Sequence, residues 1–363
     1  MIPDIRIEDY NYSLPDERIA KYPLDQRDAS RLLLYKEGHP SEKSFKDIAA
    51  FIPEGALMIF NDTKVVPARL HFQRISGAHI EIFCLDPLSP AEYVSMFETT
   101  ERCRWKCIVG NVKRWKNDTL HLFNPLKNSI IADLQLKADL VERTGETSIV
   151  EFTWQGGVPF SKVLEICGSV PIPPYLNRDT ESIDQERYQT LYARFRGSVA
   201  APTAGLHFTD EVLEAIRLRN VQTDTVCLHV GAGTFLPVKS SSVSEHTMHR
   251  EPFVVTLGLL ERLLSKTGNV VAVGTTSVRT LESLYYVGVK CIEEGAPSDV
   301  DQWEPYQRDY TYTINEALEA IVRYLKSNGL QELKVPDKEF RYLRTVIVTA
   351  AVYWGLNSKL RLR

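Results

Sequence analysis

The feature that most constrains the fold is a change in hydrophobic patterning along the chain. Apolar and polar residues alternate in short runs at 79–85, 104–110, 119–123 and 147–154, with Gly, Asn and Asp between them. A period of two is typical of strands that bury one face. Because these short strands follow one another with no convincing helical pattern between them, they predict a small antiparallel β-barrel.

Strands and helices alternate after residue 158. The predicted elements are a helix at 209–220, a strand at 223–230, a strand and then a helix within 252–269, a strand at 270–274, and helices at 275–288 and 314–329. Thr209 is a predicted N-cap, and Thr313 with Glu316 forms a predicted capping box. We also expect Ser or Thr to cap the helix that follows residue 274. This pattern indicates an α/β fold.

A fully apolar strand at 56–60 also precedes the barrel segment. The sequence therefore predicts a discontinuous α/β domain, made of residues 1–65 and 156–363, with an antiparallel β-barrel domain inserted at 66–155. Insertion into a surface loop costs little free energy, because closure entropy grows slowly with loop length.

Composition excludes several classes of protein. Lys and Arg total 43 and Asp and Glu total 47, for a formal charge of −4, so any nucleic-acid partner must meet a local patch. No apolar run approaches the ~20 residues that span a bilayer. Six scattered cysteines indicate neither a disulfide scaffold nor a metal site. We expect a cytoplasmic, monomeric protein without a signal peptide or membrane segment.

Three predicted strands end in polar or glycine-rich loops, and sites in α/β sheets lie at the carboxyl ends of the strands. The loops contain Asn61, Asp62, Thr63 and Lys64 after the first strand, Gly231, Ala232, Gly233 and Thr234 after the second, and Gly274, Thr275, Thr276 and Ser277 after the third. We expect these three loops to converge on one ligand-sized cleft.

The loop at 274–277 leads directly into a helix, whose exposed N–H groups and dipole favour a carboxylate or phosphate. Arg279 and Glu282 lie on one face of that helix. The alternative is a well-capped helix with a surface ion pair. The Gly231–Gly233 loop lacks the third glycine of the dinucleotide fingerprint. Its two glycines would let the backbone approach a flat ligand closely. The structural alternative is a tight turn or a β-bulge.

Four further residues carry ionisable side chains near these loops. Asp62 and Arg69 follow the first strand, His207 lies in a loop of small residues at 198–209, and His229 lies in a strand. For Asp62 the structural alternative is a residue of a simple turn, and for Arg69 it is a solvated cation. For His207 and His229 it is a hydrogen-bonded histidine of the core.

A basic segment lies on the predicted barrel. Its cations are Arg102, Arg104, Lys106, Lys113, Arg114 and Lys116, interleaved with Trp105 and Trp115. Cations beside aromatic rings suit a phosphate backbone with stacked bases. The alternative is the solvated outer face of the barrel.

In this order, several long runs resemble one family. They are YSLPDERIAKYPLDQRDASRLL at 12–33, FNDTKVVPARL at 60–70, VPIPPYLNR at 170–178, YQTLYARFRGSVAAPTAGLHFT at 188–209, HVGAGTFLPV at 229–238 and VGTTSVRTLES at 273–283. They resemble the S-adenosylmethionine:tRNA ribosyltransferase-isomerases of queuosine biosynthesis, over about residues 10–285. The family's fold, an α/β domain carrying an inserted barrel, agrees with the pattern.

The resemblance implies transfer of the ribosyl part of S-adenosylmethionine to 7-aminomethyl-7-deazaguanine in tRNA. Isomerisation gives epoxyqueuosine, and adenine and methionine leave. S-adenosylmethionine is then a consumed substrate, and no metal or cofactor is implied.

This chemistry needs groups that remove and supply protons, a role that suits histidine because its pKa is ~6.5. We predict His207 and His229 as catalytic, with Asp62 as the main carboxylate. Gly274–Ser277 with Arg279 would hold the methionine carboxylate. Gly231–Thr234, Ala204 and Gly205 would line the nucleoside. Asn61, Lys64, Arg69 and Glu282 are further predicted substrate contacts, and the basic segment would hold tRNA.

After residue 330 the chain departs from the family pattern, lacking an Asn-Phe-His-Leu-Pro-type run and a Ser-Tyr-Gly-Asp run. One alternative is therefore a tRNA-binding relative with impaired catalysis. A less favoured one is an S-adenosylmethionine-dependent RNA methyltransferase, which would need a glycine-rich loop after the first strand.

Overall fold

The computed structural model describes residues 5–91, 93–116, 118–123, 129–145, 147–231, 240–246, 251–265, 269–335 and 353–354. The α-helices in these ranges are α1 (Tyr93–Glu98), α2 (Ser129–Leu134), α3 (Phe160–Cys167), α4 (Asp184–Arg187), α5 (Asp210–Arg217), α6 (Leu257–Ser265), α7 (Gly274–Glu293) and α8 (Ile314–Ser327). The strands are β1 (Arg31–Lys36), β2 (His39–Ser44), β3 (Leu57–Asn61), β4 (Thr63–Val65), β5 (Arg69–Gln73), β6 (His79–Ser89), β7 (Arg102–Val109), β8 (Leu120–Leu122), β9 (Lys137–Thr144), β10 (Thr147–Thr153), β11 (Gly168–Ser169), β12 (Phe195–Ser198), β13 (Gln222–Leu228), β14 (Phe253–Thr256), β15 (Val270–Ala272), β16 (Glu332–Val335) and β17 (Tyr353–Trp354).

A six-stranded sheet in the order β16-β14-β13-β3-β15-β17 forms the centre of the α/β part. The three middle strands β13, β3 and β15 are parallel, and the outer strands pair antiparallel to them. Every residue of β3 and of β15 is buried. This burial explains the continuous apolar runs, because a strand covered on both faces has no polar side.

The two faces of the sheet pack against different elements. Leu57 and Ile59 of β3 belong to a cluster completed by α6, α7 and α8. Met58 and Phe60 face the other way, into a cluster with residues of α5 and the short helix Phe45–Phe51. Helices therefore cover both faces, as the alternation of strand and helix predicts.

The inserted segment forms a closed antiparallel barrel. Its strands follow the order β5-β6-β7-β10-β9-β8, and β8 pairs with β5 to close the ring. Exposed and buried residues alternate along β7, and Trp105 and Phe152 lie fully inside. The predicted fold class, an α/β domain with an inserted antiparallel β-barrel, is confirmed.

The barrel also contains elements that the strand pattern does not predict. Helices α1 and α2 lie within the inserted segment, although no helix is expected there. Helix α3 follows it and contributes Phe160, Val163 and Leu164 to the barrel core, and β11 pairs with β5. Short helices complete the apolar interior of the barrel. The division at residues 66 and 155 stays a prediction.

Helix ends follow the predicted capping chemistry in two of three cases. The Thr209 hydroxyl accepts from Val212 N at the start of α5, and Thr313 with Glu316 forms a capping box on α8. The expected Ser or Thr cap of α7 is wrong. That helix begins at Gly274, its N-cap is Val273, and within the described residues it has no side-chain cap.

All six cysteines are free, and four of them are buried. Across the described ranges, no group of three or more His, Cys, Asp or Glu side chains has the arrangement of a metal site. No helix within these ranges has both the length and the apolar character needed to cross a membrane.

Candidate active site

The polar loops after β3, β13 and β15 lie at one edge of the sheet, because these three strands are adjacent and parallel. Asp62 N donates to Val226 O at 3.0 Å, and Val273 N donates to Ile59 O at 2.8 Å. The three strand ends therefore meet at one edge as expected, and the ligand-sized cleft between their loops stays a prediction. Ala232, Gly233 and Thr234 lie outside the described residues.

Asn61 holds the ends of β3 and β13 together. Its Nδ2 donates to Leu228 O and its Oδ1 accepts from Leu228 N, both at 3.0 Å, and Oδ1 also accepts from Thr63 N. The side chain is 1% exposed. These hydrogen bonds to the backbone give Asn61 a structural role. Its contact with substrate stays a prediction.

Asp62 is a buried carboxyl group, 1% exposed. Among the described residues no hydrogen bond reaches its Oδ1. Burial raises the pKa of Asp62, while a hydrogen bond with Thr225 and the charge of Arg194 lower it. Its negative charge in turn contributes to the raised pKa of Tyr192. Asp62 is therefore buried close to Tyr192 rather than exposed at the surface.

The imidazole of His229 packs against Thr63, Cys227, Gly197 and Tyr93. Its Nδ1 lies 3.0 Å from the hydroxyl oxygen of Thr63, and its Nε2 lies 3.8 Å from Cys227 Sγ. A Cβ on Gly197 would lie 2.6 Å from Nδ1, so only glycine leaves room for the ring. The ring centroid lies 5.6 Å from that of Tyr93 on α1. Burial lowers the pKa of His229 to about 4, which keeps the imidazole neutral at pH 7.

His207 lies at the end of the short helix Thr203–His207. Its ring centroid is 5.3 Å from that of Phe45, and burial is the main cause that lowers its pKa. Arg27 Nη1 donates to the carbonyls of Gln189 and Leu206 at 2.8 and 3.2 Å and so holds the chain just before the histidine. His207 is thus a second imidazole whose neutral form is favoured.

The loop that carries Ala204 and Gly205 contacts the start of α7. A Cβ on Gly274, which has φ +83°, would lie 3.2 Å from Ala204 Cβ. Gly205 packs differently, since a Cβ there would lie 1.9 Å from the Tyr192 hydroxyl oxygen. Ala204, a predicted nucleoside contact, is therefore a neighbour of Gly274, which is predicted to hold the methionine carboxylate. Only glycine fits at position 205, because the Tyr192 hydroxyl lies against it.

The first turn of α7 presents backbone donors without a side-chain cap. The hydroxyls of Ser277 and Thr280 donate back to the carbonyls of Val273 and Thr276, at 2.9 and 3.1 Å. Thr275 is exposed, and Thr276 Oγ1 is buried without a hydrogen-bond partner in the described part of the chain. Uncapped N–H groups at the positive end of a 20-residue helix favour an anion.

Arg279 forms an ion pair with Glu251, a residue that sequence reasoning missed. Glu251 Oε1 also accepts from Gly231 N at 3.3 Å. The ion pair between Arg279 and Glu282 that the alternative required does not form. Burial raises the pKa of Glu282 to about 7, and the described residues offer its carboxyl no ion-pair partner. No local spacing signals Glu251, because 28 residues separate it from Arg279.

Lys64 and Arg69 lie on strands of two different sheets. Lys64 lies on β4, which pairs with β12 in a separate two-stranded sheet. Arg69 belongs to the barrel strand β5, where it lies 3.7 Å from Glu81 and 5.4 Å from the centre of the Phe83 ring. Their predicted contacts with substrate stay predictions.

The basic segment keeps its cations on the surface but not its aromatic rings. Arg102, Arg104, Lys113, Arg114 and Lys116 are exposed, and Lys106 is partly exposed. Trp105 and Trp115 are 1% and 0% exposed, so the expected base stacking on them is wrong.

Alternation along β7 places Trp105 on the face opposite Arg104, a signal already present in the sequence. Arg104 pairs with Glu151 at 2.7 Å, and Lys106 lies 3.6 Å from Asp86. Next to these strands, a groove of about 530 Å³ is lined by Lys113, Trp115, Lys116, Leu140, Val141, Glu142 and Arg143.

Taken together, these elements define an α/β protein with a closed barrel insertion and with polar residues gathered at the carboxyl edge of its parallel strands. At or near this edge lie the start of α7, the largely buried Arg279 and His229, and His207 ends the short helix whose Ala204 contacts the start of α7. A profile of the family described as queuosine biosynthesis protein matches residues 7–306.

Relatives of similar length carry one name, S-adenosylmethionine:tRNA ribosyltransferase-isomerase. The chain is 42% identical to that of Citrifermentans bemidjiense over 281 residues and 40% identical to that of Trichlorobacter lovleyi over 282 residues, in both cases 76% of each chain. The chain belongs to the queuosine biosynthesis family of S-adenosylmethionine:tRNA ribosyltransferase-isomerases.

A solved structure titled as an S-adenosylmethionine tRNA ribosyltransferase from Thermotoga maritima also matches. It is 23% identical, covers 88% of this chain and 92% of its own, and has a TM-score of 0.31.

Proposed function

We propose that this chain transfers and isomerises the ribosyl part of S-adenosylmethionine onto 7-aminomethyl-7-deazaguanine in tRNA, releasing adenine and methionine. Family membership supports the reaction. The observation that carries the assignment to this cleft is the convergence of the ends of β3, β13 and β15 beside the uncapped start of α7. S-adenosylmethionine would be consumed, so the proposal includes no cofactor and no metal.

In this proposal the methionyl carboxylate binds at Gly274–Ser277 with Arg279. The N–H groups at the helix start and the guanidinium are both suited to a carboxylate. Ala204 touches the same helix start, which supports a nucleoside contact beside it. Glu282 lies one turn beyond Arg279, where its carboxyl could receive the ammonium of the same methionyl group.

The sulfonium acidifies the 5′ hydrogens of the ribose, and a base must remove one of them. His229 has the chemistry of a base, because its lowered pKa keeps it unprotonated at pH 7 and Thr63 orients its ring. His207 has the same preference for the neutral form and is the second candidate. Asp62 is closed off from the cleft surface, so we assign it to orienting its neighbours rather than to direct proton transfer.

The tRNA would lie against the barrel, where exposed cations flank the groove beside Trp115. Phosphate contacts to Lys and Arg supply affinity without reading sequence. Because the tryptophans are buried, the barrel would hold the backbone of the tRNA and would not stack its bases.

One experiment tests the proposal and separates it from the alternatives. Purified protein is incubated with S-adenosylmethionine and tRNA that carries the 7-aminomethyl base, and the products are separated by chromatography. We expect adenine, methionine and an epoxyqueuosine-containing tRNA. A methylated tRNA would identify a methyltransferase, and tRNA binding with neither product would identify an impaired relative.

A further inference from the structure

A buried ion pair joins two of the three strand ends that form the cleft. The side chains of Arg279 and Glu251 are 11% and 6% exposed. Taking two charges out of water is costly, and apolar residues of similar volume are often equally stable. Stability alone therefore does not account for this pair, and its position at the carboxyl edge of the sheet points to the site.

Both oxygens of the Glu251 carboxylate have partners on different elements. Oε1 accepts from Gly231 N at 3.3 Å, directly after β13, and Oε2 pairs with Nη1 of Arg279 on α7. Glu251 itself lies just before β14. One side chain thus bonds both the backbone of Gly231 and the guanidinium of Arg279.

The charge states of the two residues depend on each other. Burial raises the pKa of the Glu251 carboxyl, and the charge of Arg279 is the largest influence that opposes this rise. A guanidinium is planar with five N–H donors in a rigid arrangement, so a bond at Nη1 orients the whole group. Without the carboxylate, Arg279 would lose this bond at Nη1.

We propose that Glu251 is a positioning residue that orients Arg279 for the methionyl carboxylate of S-adenosylmethionine and joins it to the backbone of Gly231. This inference rests on the proposed function, because it takes S-adenosylmethionine as the ligand. Glu251 acts through Arg279 and does not touch the reacting atoms. As a consequence, the site should bind ligands that carry the methionyl carboxylate more tightly than ligands that lack it.

The test compares the dissociation constants of S-adenosylmethionine and decarboxylated S-adenosylmethionine by calorimetry. Wild-type protein should prefer the carboxylate ligand by about tenfold or more, since charge-assisted pairs contribute ~1.5–3 kcal/mol. Glu251→Gln keeps the volume but removes the charge, and should lower this preference toward 1. The decarboxylated ligand should bind both proteins within about twofold.

Asp184→Asn is the matched control. Arg178 and Asp184 form a similarly buried pair, 11% and 4% exposed, that contacts none of the three strand ends. This variant should lower thermal stability but leave the preference ratio unchanged. Glu251→Asp keeps the charge on a shorter side chain that cannot reach both Gly231 and Arg279. It should give a preference between those of wild type and Glu251→Gln.

Two results would overturn the inference. One is an unchanged preference ratio in folded Glu251→Gln or Glu251→Asp protein, and the other is a wild-type protein that does not distinguish the two ligands. A wild-type protein that shows the preference and loses it in Glu251→Gln, but releases no adenine with the modified tRNA, would contradict the proposed function and leave the role of Glu251 supported.

Discussion

Nδ1 of His229 lies 3.0 Å from the hydroxyl oxygen of Thr63, so the first residue of β4 orients the imidazole that follows β13. A hydroxyl can donate to or accept from either tautomer, and its bond sets which nitrogen is available for proton transfer. This relationship joins residues that are 166 positions apart and places a neutral histidine at the cleft.

Replacing this hydroxyl should reduce catalysis more than binding. For Thr63→Val we expect adenine release to fall by about tenfold, because the ring loses its orienting partner, while His229→Ala should cost about 100-fold or more as a lost general base. Steady-state kinetics with saturating tRNA measure both changes. Equal rates in His229→Ala and wild type would remove His229 as the base and leave His207.

Protonation of His229 should weaken the fold in acid. Its pKa is about 4 in the folded chain and ~6.5 when unfolded, so the unfolded state binds the proton between these values and stability falls as pH drops from 6.5 to 4. Between pH 7 and pH 5 the loss should be on the order of 2 kcal/mol. Urea unfolding of His229→Gln at pH 5 and 7 checks this, since the variant should show a smaller difference than wild type.

Glu282 should show the opposite dependence. Burial raises its pKa to about 7 in the folded chain against ~4.3 when unfolded, so the folded state holds the proton in this range and stability falls as pH rises from 4.3 to 7. Glu282→Gln should therefore be more stable than wild type at pH 8 and similar at pH 4. Thermal melts at both values test this, and a variant that is less stable at pH 8 would contradict it.

The barrel cations should contribute unequally to tRNA binding. Arg104 and Lys106 have carboxylate neighbours, Glu151 and Asp86, whereas Lys113 and Lys116 border the groove. Neutralising both groove lysines should lower the salt slope of log affinity by about 2, because each phosphate contact contributes ~0.7–0.9.

Filter binding at several salt concentrations measures this slope. The double variant of Lys326 and Lys334, two exposed cations on α8 and β16, is the control and should keep the wild-type slope. If the groove variant also keeps the wild-type slope, this face is only a solvated surface.

A methyl group at Gly197 should disturb the site more than the fold. The added Cβ would lie 2.6 Å from His229 Nδ1, so the ring must move away from Thr63. We expect Gly197→Ala to reduce adenine release by at least about tenfold, as misplacement of a catalytic group does. Gly110→Ala is the control, since a Cβ there meets Glu81 Cβ at 3.4 Å, and it should retain wild-type activity.

Much of the fold was predictable because its signals are local. Alternation with a period of two gave the barrel strands, and continuous apolar runs gave β3 and β15. Caps at Thr209 and Thr313 act within one turn of their helices. The shared edge of the cleft also followed, since parallel strands of an α/β sheet end on one side.

The sequence by itself determined the elements, their class and the loops in which the polar residues lie, because each depends on neighbours a few positions apart. Only the tertiary structure decided that Glu251 pairs with Arg279, that Asn61 fastens Leu228 and that Trp115 is buried in the barrel. These contacts join residues that are distant in the chain or on separate elements. Their partners are selected by how whole elements pack, and no local pattern encodes that choice.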